Sequence, residues 1–105
     1  MTKFPAVDRT EYIYGGDRIA ADNIFFTNGS EDPWQWVTQT QDRPSINQRS
    51  HTSKCTGCAH CADLYTPNEE TDPAELLETR QMVYDWISDI LDEFYAANSA
   101  DSALQ

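Results

Sequence analysis

Basic residues are scarce in this sequence: 7 Lys and Arg stand against 18 Asp and Glu, which gives a formal net charge of -11. No cluster of Lys and Arg occurs, and this argues against nucleic-acid binding, because a phosphate backbone attracts clustered cations. The same charge disfavours an anionic membrane surface as a partner. No apolar run approaches the roughly 20 residues of a membrane-spanning helix. No apolar signal-peptide core is visible at the N-terminus either.

The acidic excess is confined to the second part of the chain. Residues 1–61 carry seven acidic and six basic residues, whereas residues 62–105 carry eleven acidic residues and one basic residue, Arg80. Charge runs of this kind usually cover the solvent-facing side of a helix. The length of 105 residues supports one domain at most, and a hydrophobic share of 39% is too high for a chain that is disordered throughout.

The first half of the sequence predicts two strands separated by a long loop. Residues 24–27 (IFFT) form an apolar run between turn-forming residues, a pattern typical of a strand buried on both faces of a parallel sheet. Residues 28–48 are polar and predict a loop with room for one short helical turn, and residues 49–55 predict a weak strand. Residues 1–16, which end in a Tyr-Gly-Gly turn signal, are expected to be extended or looped.

A long amphipathic helix is predicted from Pro73 to Tyr95. Asp72 suits the N-cap position, and proline suits the first helical position. Apolar residues recur on one face at spacings of seven, four, three and four: Leu76, Val83, Ile87, Ile90 and Phe94. From Ala96 onward the chain is rich in small and polar residues and is expected to fray. Residues 1–96 are therefore assigned to the domain and residues 97–105 to a flexible tail.

This order of elements predicts the α/β class. A single strand buried on both faces cannot pair both of its edges within so short a chain, and one helix covers only one face of a sheet. We therefore expect a piece of a larger α/β sheet protein. Expressed alone, such a piece is expected to lack a stable native fold, because its strand edges and its apolar helix stripe stay uncovered.

Two polar residues lie at positions where α/β proteins usually carry catalytic groups. Asp32 follows the predicted strand 24–27, and catalytic groups collect at the carboxyl ends of parallel strands. A simple turn residue before proline would produce the same pattern. His60 follows the second predicted strand, although a lone loop histidine is most often structural. Acid, histidine and closing helix in this order match the end of an α/β-hydrolase, while no G-x-S-x-G nucleophile motif occurs.

Three cysteines lie close together in the sequence at C-x2-C-x2-C spacing: Cys55, Cys58 and Cys61. The spacing is compatible with a metal or iron–sulfur site whose fourth ligand is His60 or His51. The alternatives are a disulfide, such as one between Cys55 and Cys58, and free thiols. Zinc sites usually pair two such knuckles and this chain has one, which favours a disulfide. Because the count is odd, at least one cysteine is free or pairs outside this chain.

Residues 23–34 (NIFFTNGSEDPW) and 58–64 (CAHCADL) resemble the C-terminal part of a serine peptidase family. That family includes lysosomal Pro-Xaa carboxypeptidase, dipeptidyl-peptidase II and thymus-specific serine protease. The similarity runs from Lys3 to Tyr95, and the two blocks at this separation are specific together. One departure is Cys61, which stands where the mammalian members carry a second histidine. The resemblance implies that the chain is the C-terminal portion of an α/β-hydrolase domain.

The resemblance also implies a role for individual residues. Asp32 is the triad acid, His60 is the triad base, and Trp34 is similar to a family tryptophan near the pocket that accepts proline. The implied activity is that of a serine-type exopeptidase, a carboxypeptidase or a dipeptidyl-peptidase, which cleaves proline-containing peptides and needs no cofactor. Since the serine nucleophile lies outside this sequence, the isolated chain is expected to be inactive without the N-terminal part of the same enzyme.

A secreted, lysosomal or vacuolar location of the parent enzyme is a further implication of the resemblance. Thiols oxidise in such compartments, so a disulfide among the three cysteines is expected rather than a metal. Two other classes of protein stay open at this point. One is a small metal-binding module built on the cysteines, and the other is an interaction module that uses the acidic helix.

Overall fold

The computed structural model describes residues 5–103 as a mixture of helices and strands. The regular elements in chain order are helix α1 (Val7–Tyr14), strand β1 (Ile24–Gly29), strand β2 (Gln48–Ser53) and helix α2 (Ala74–Ala103). Short 3-10 turns lie between them at Gly16–Arg18, Pro33–Val37, Pro44–Ile46 and Ala62–Leu64. The predicted loop 28–48 thus contains two helical turns rather than one. The mixture of helix and strand is compatible with the predicted α/β class.

Strands β1 and β2 form a two-stranded parallel sheet within the described residues. The register places Ile24 opposite Gln48 and Gly29 opposite Ser53, so both strands end at the same edge. The predicted parallel arrangement is confirmed. The first strand extends two residues beyond the prediction, because ladder pairing continues through Gly29 into the turn-forming residues. The second strand begins at Gln48 and ends at Ser53, instead of spanning 49–55.

Strand β1 is half-buried along residues 24–27 rather than buried on both faces as predicted. Within the described residues it is paired with β2 along one edge. The ring of Phe25 meets that of Trp86 on α2 edge-on, at a centroid separation of 5.8 Å, and the guanidinium of Arg49 lies 5.7 Å from the same Phe25 ring. The apolar run therefore presents more surface than these neighbours cover.

Helix α1 corrects the prediction that residues 1–16 are extended or looped. Residues 1–4 of that segment lie outside the described residues. The helix begins after Ala6, whose carbonyl accepts from both the N–H and the hydroxyl of Thr10 at 3.0 Å. It ends at Gly15, which adopts the left-handed conformation at φ 95°. No residue of α1 is buried, so the helix packs no apolar face against the rest of the described chain.

Helix α2 packs its first turns against β2 and leaves much of its apolar stripe uncovered. Leu76 and Thr79 are buried, and the hydroxyls of Thr79 and Ser53 lie 2.6 Å apart. Further along the helix, 45% of Ile87 and 58% of Phe94 are exposed. That the chain does not close a core by itself, and that it has low stability in isolation, both stay predictions.

The ends of α2 differ from the prediction in two ways. The helix continues to Ala103, beyond the predicted end at Tyr95, so residues 97–103 of the predicted tail are helical and the last two residues lie outside the described chain. Alanine retains a high helix propensity after the apolar stripe has ended. Asp72 is the predicted N-cap, but its carboxylate accepts hydrogen bonds from the Asn68 N–H at 2.9 Å and from the Arg80 guanidinium.

Candidate active site

The loop after β1 places Asp32 near the edge where both strands end. Asp32 caps the 3-10 turn Pro33–Val37, since its Oδ1 accepts a hydrogen bond from the Trp34 N–H at 2.8 Å. Proline suits the first position of this turn because its φ is already fixed near the required value. Asp32 is therefore a turn residue, as the simpler interpretation of the sequence holds. Its second carboxylate oxygen is left for another partner.

That second oxygen meets the imidazole of His60. The distance between Asp32 Oδ2 and His60 Nδ1 is 2.8 Å. The Asp32 side chain is 9% exposed, whereas that of His60 is 62% exposed. An ionised carboxylate only accepts hydrogen bonds, so it favours the tautomer in which Nδ1 carries the proton and the other ring nitrogen is a free acceptor. The structure thus brings together two predicted site residues that lie 28 positions apart.

Opposing effects act on the pKa of Asp32. Burial raises this pKa, because an ionised carboxylate loses hydrating water. The hydrogen bonds with His60 and with the Trp34 N–H, together with the electrostatic attraction of His60, outweigh burial and hold the pKa of Asp32 below its ordinary value of 3.8. The carboxylate is therefore ionised above that pH, as an acceptor for the imidazole N–H must be.

A close backbone contact at Gly29 brings the loop of Asp32 against the loop of His60. A Cβ atom at Gly29 would lie 2.3 Å from the carbonyl oxygen of Cys58 and 2.6 Å from that of Ala59. Contacts this short do not occur, so any side chain at Gly29 would push the two loops apart. Glycine is required here for the close approach of two backbones.

Glu31 joins the same two loops by hydrogen bonds. Its N–H donates to the Cys58 carbonyl at 3.0 Å, and its carboxylate accepts from the Gly57 N–H at 2.8 Å. The sequence pattern identifies neither Glu31 nor Gly29 as a site residue. Both belong to the NGSEDPW block around Asp32, and membership of that block is the one signal that could have marked them.

A disulfide links Cys55 to Cys58, and Cys61 is a free, exposed thiol. This pairing is one of the alternatives that the spacing leaves open, and it confirms the expectation of a disulfide in the cysteine cluster. Cys58 is buried beside the loop of Asp32, where its carbonyl accepts from Glu31. Among the residues that the structure describes, no group of three His, Cys, Asp or Glu side chains is placed to hold a metal ion.

We expect the native full-length protein to contain the disulfide between Cys55 and Cys58, because oxidising compartments preserve such pairs. Free thiols are alkylated first, and non-reduced peptides are then analysed by mass spectrometry. The expected result is a peptide in which Cys55 and Cys58 are joined and Cys61 is alkylated. A Cys61→Ser control is expected to leave the pairing unchanged. Stoichiometric zinc or iron, with all three thiols alkylated after metal removal, would contradict this assignment.

A cavity of about 410 Å³ adjoins both Asp32 and His60. Its size is in the range of sites that bind small ligands. The apolar part of its wall consists of the side chains of Trp34, Val37, Leu64 and Leu76 together with Ala62. Of the surface of Trp34, 62% is exposed. The predicted acid, base and substrate-binding residue therefore line one cavity.

Comparison with known proteins identifies the family. The model of the family described as serine carboxypeptidase S28 matches residues 4–83. This chain belongs to the S28 family. It is 45% identical over 64 residues to the probable serine protease EDA2 of Arabidopsis thaliana, a match that covers 58% of this chain and 12% of that protein. It is 32% identical over 89 residues to the thymus-specific serine protease of Mus musculus, which covers 81% of this chain and 17% of that protein.

A further relative is a putative serine protease of Caenorhabditis elegans, 36% identical over 94 residues that cover 89% of this chain and 17% of that protein. The chain thus spans between 12% and 17% of the length of these relatives.

No solved structure matches it at a significant level. None of the helices in the described part of the chain combines the length and apolarity needed to cross a bilayer. The resemblance to serine peptidases is confirmed.

Proposed function

We propose that this chain supplies the acid and the base of a serine peptidase triad. The observation that carries the proposal is the 2.8 Å contact between Asp32 Oδ2 and His60 Nδ1 beside a cavity of about 410 Å³. In this role His60 takes the proton of a serine hydroxyl as its oxygen attacks the peptide carbonyl, and then gives the proton to the leaving amine. Asp32 holds the imidazole in the required tautomer and stabilises the imidazolium that forms.

The nucleophilic serine, in this proposal, belongs to a part of the enzyme outside these 105 residues. No G-x-S-x-G motif occurs in the sequence. In α/β-hydrolases the serine precedes the acid and the histidine along the chain. The order of β1, Asp32, β2, His60 and α2 supports the C-terminal portion of such a domain. The chain by itself is therefore expected to be catalytically inactive.

Proline-containing peptides are the proposed substrates. Trp34 supports this choice, because an exposed indole in the wall of the cavity offers a flat apolar surface for a pyrrolidine ring. Val37 and Leu64 extend the apolar wall and are also largely exposed. The proposed activity takes one of two forms. A carboxypeptidase removes the last residue after a penultimate proline, and a dipeptidyl-peptidase releases an N-terminal Xaa-Pro dipeptide. The experiment below distinguishes them.

A secreted, lysosomal or vacuolar location is proposed for the parent enzyme. The disulfide between Cys55 and Cys58 supports this location, because disulfides form and persist outside the reducing cytosol. The net charge of -11 gives no support to nucleic acid as a partner, so the proposed partners are the peptide substrate and the remainder of the enzyme.

Matched peptides and a serine-directed reagent test the proposed function on the full-length protein. One pair of peptides carries proline or alanine as the penultimate carboxyl-terminal residue, and a second pair carries proline or alanine at the second position. We expect one of the two proline peptides to be hydrolysed, with kcat/KM at least about tenfold above its alanine counterpart. A fluorophosphonate that modifies nucleophilic serines is expected to abolish this hydrolysis.

The two measurements test different parts of the proposal. Equal rates on the proline and alanine peptides would remove the proline preference and leave the peptidase assignment intact. Hydrolysis that persists after complete fluorophosphonate treatment would contradict the serine mechanism itself.

A further inference from the structure

Arg80 on α2 binds the backbone just after the proposed catalytic histidine. Its guanidinium donates to the carbonyl oxygens of Ala62 at 3.3 Å, Asp63 at 3.4 Å and Tyr65 at 2.9 Å. It also pairs with the carboxylate of Asp72. Only 16% of the Arg80 side chain is exposed. One side chain of the long helix thus binds three carbonyls of a single short segment.

That segment forms part of the cavity wall and begins two residues after His60. The turn Ala62–Leu64 lines the cavity, and Thr27 on β1 provides a second tether, since its hydroxyl donates to the Asp63 carboxylate at 2.9 Å. Cys61, which connects His60 to the turn, has a φ of 58°. A residue with a side chain adopts this left-handed conformation only where the surrounding structure holds it.

We propose that Arg80 is a positioning residue for His60, an inference that rests on the proposed function. The His60 side chain is exposed, and its one side-chain hydrogen bond among the described residues is to Asp32. The position of the backbone therefore determines whether the imidazole reaches Asp32. By fixing three carbonyls of the following turn to α2, Arg80 keeps that backbone in place.

Lysine cannot take over this role. A guanidinium presents five N–H donors in a fixed plane, whereas an ammonium group presents three donors around one atom. The Asn68 N–H and the Arg80 guanidinium lower the pKa of Asp72, so its carboxylate is ionised and available to pair with either cation. We expect a lysine at this position to keep the ion pair with Asp72 and to lose most of the carbonyl contacts.

Kinetics of Arg80→Ala and Arg80→Lys in the full-length peptidase test the inference. In both variants kcat is expected to fall about 100-fold, the cost of misplacing a reacting group by about 1 Å, while KM changes by less than about threefold. The downfield proton resonance of the hydrogen bond between Asp32 and His60 is expected to shift or disappear in both. A loss of stability without a change in geometry would not move that resonance.

Two control variants separate positioning from stability. Asp72→Asn removes the ion pair and leaves the three carbonyl contacts, so we expect a lower Tm with kcat within about threefold of the wild type. Arg9→Ala removes an exposed arginine on α1 and is expected to change neither quantity. If Arg80→Ala does not fold, as shown by thermal denaturation, Arg80→Lys decides the question.

Normal kcat in a folded Arg80→Ala or Arg80→Lys protein would overturn the inference. So would a loss of kcat in Asp72→Asn equal to that in Arg80→Ala, because both variants remove the ion pair with Asp72 and the pair would then explain the effect. His60→Ala distinguishes these outcomes from failure of the proposed function. If His60→Ala keeps its activity, the triad assignment is wrong; if it is inactive while the Arg80 variants are normal, only the positioning role is wrong.

Discussion

The His60→Ala variant of the full-length peptidase is expected to lose kcat by about 10⁴-fold or more on proline-containing peptides. Alanine has no group that can take the serine proton, so the nucleophile stays a neutral hydroxyl and the leaving amine receives no proton. KM is expected to change little, because the imidazole acts on the reacting atoms rather than on the bulk of the substrate. Steady-state hydrolysis of the proline and alanine peptide pairs measures both constants.

His51→Ala provides the matched control, since His51 is the second histidine of the chain and lies on β2 rather than in the cavity wall. We expect kcat of this variant to stay near that of the wild type. If His60→Ala hydrolysed the peptides at an ordinary rate, the assignment of His60 as the base would be wrong. The same conclusion would follow if both histidine variants lost activity to the same extent.

The Asp32→Asn variant is expected to lose kcat by about 10⁴-fold while its fold is retained. The amide is close in shape to the carboxylate, but its nitrogen is a hydrogen-bond donor. When that nitrogen faces His60 Nδ1, the imidazole adopts the opposite tautomer, and the ring nitrogen that should accept the serine proton already carries one. Circular dichroism checks the fold, and hydrolysis of the same peptides measures the loss.

Asp42→Asn controls for the effect of replacing a carboxylate that accepts a hydrogen bond from the backbone. Like Asp32, Asp42 accepts a hydrogen bond from a backbone N–H, that of Ser50 at 2.8 Å, and it is exposed and lies outside the cavity wall. We expect Asp42→Asn to keep its kcat. An equal loss in the two variants would mean that capping of the backbone, and not orientation of the imidazole, explains the effect.

Stability measurements against pH add a second test of Asp32. Because folding lowers the pKa of Asp32, the ionised carboxylate contributes stability that is fully present above 3.8 and is lost as the pH falls through the lowered value in the folded protein. Asparagine does not titrate. The difference in unfolding free energy between the wild type and Asp32→Asn is therefore expected to shrink below pH 3.8. A difference that stays constant there would show that the fold does not favour the ionised form.

The sequence is sufficient to predict elements whose signals lie in neighbouring residues. The apolar run at 24–27 and its flanking turn residues predict β1, and the spaced apolar residues after Pro73 predict α2. Helix α1 is missed because it spans only eight residues, and the turn signal at Gly15 that follows it is interpreted as the end of a loop rather than as a helix cap. The end of α2 is also missed, because alanine sustains a helix where the apolar stripe stops.

By itself the sequence determined the acidic charge, the resemblance to serine peptidases, and the order of Asp32 before His60. Only the tertiary structure decided that these two side chains meet, because a contact across 28 residues depends on the register of β1 against β2 and on the close approach at Gly29. It also decided which cysteines pair. The hydrogen bonds from Arg80 to the three carbonyls also depend on the tertiary structure. They form only when packing brings α2 next to the segment after His60.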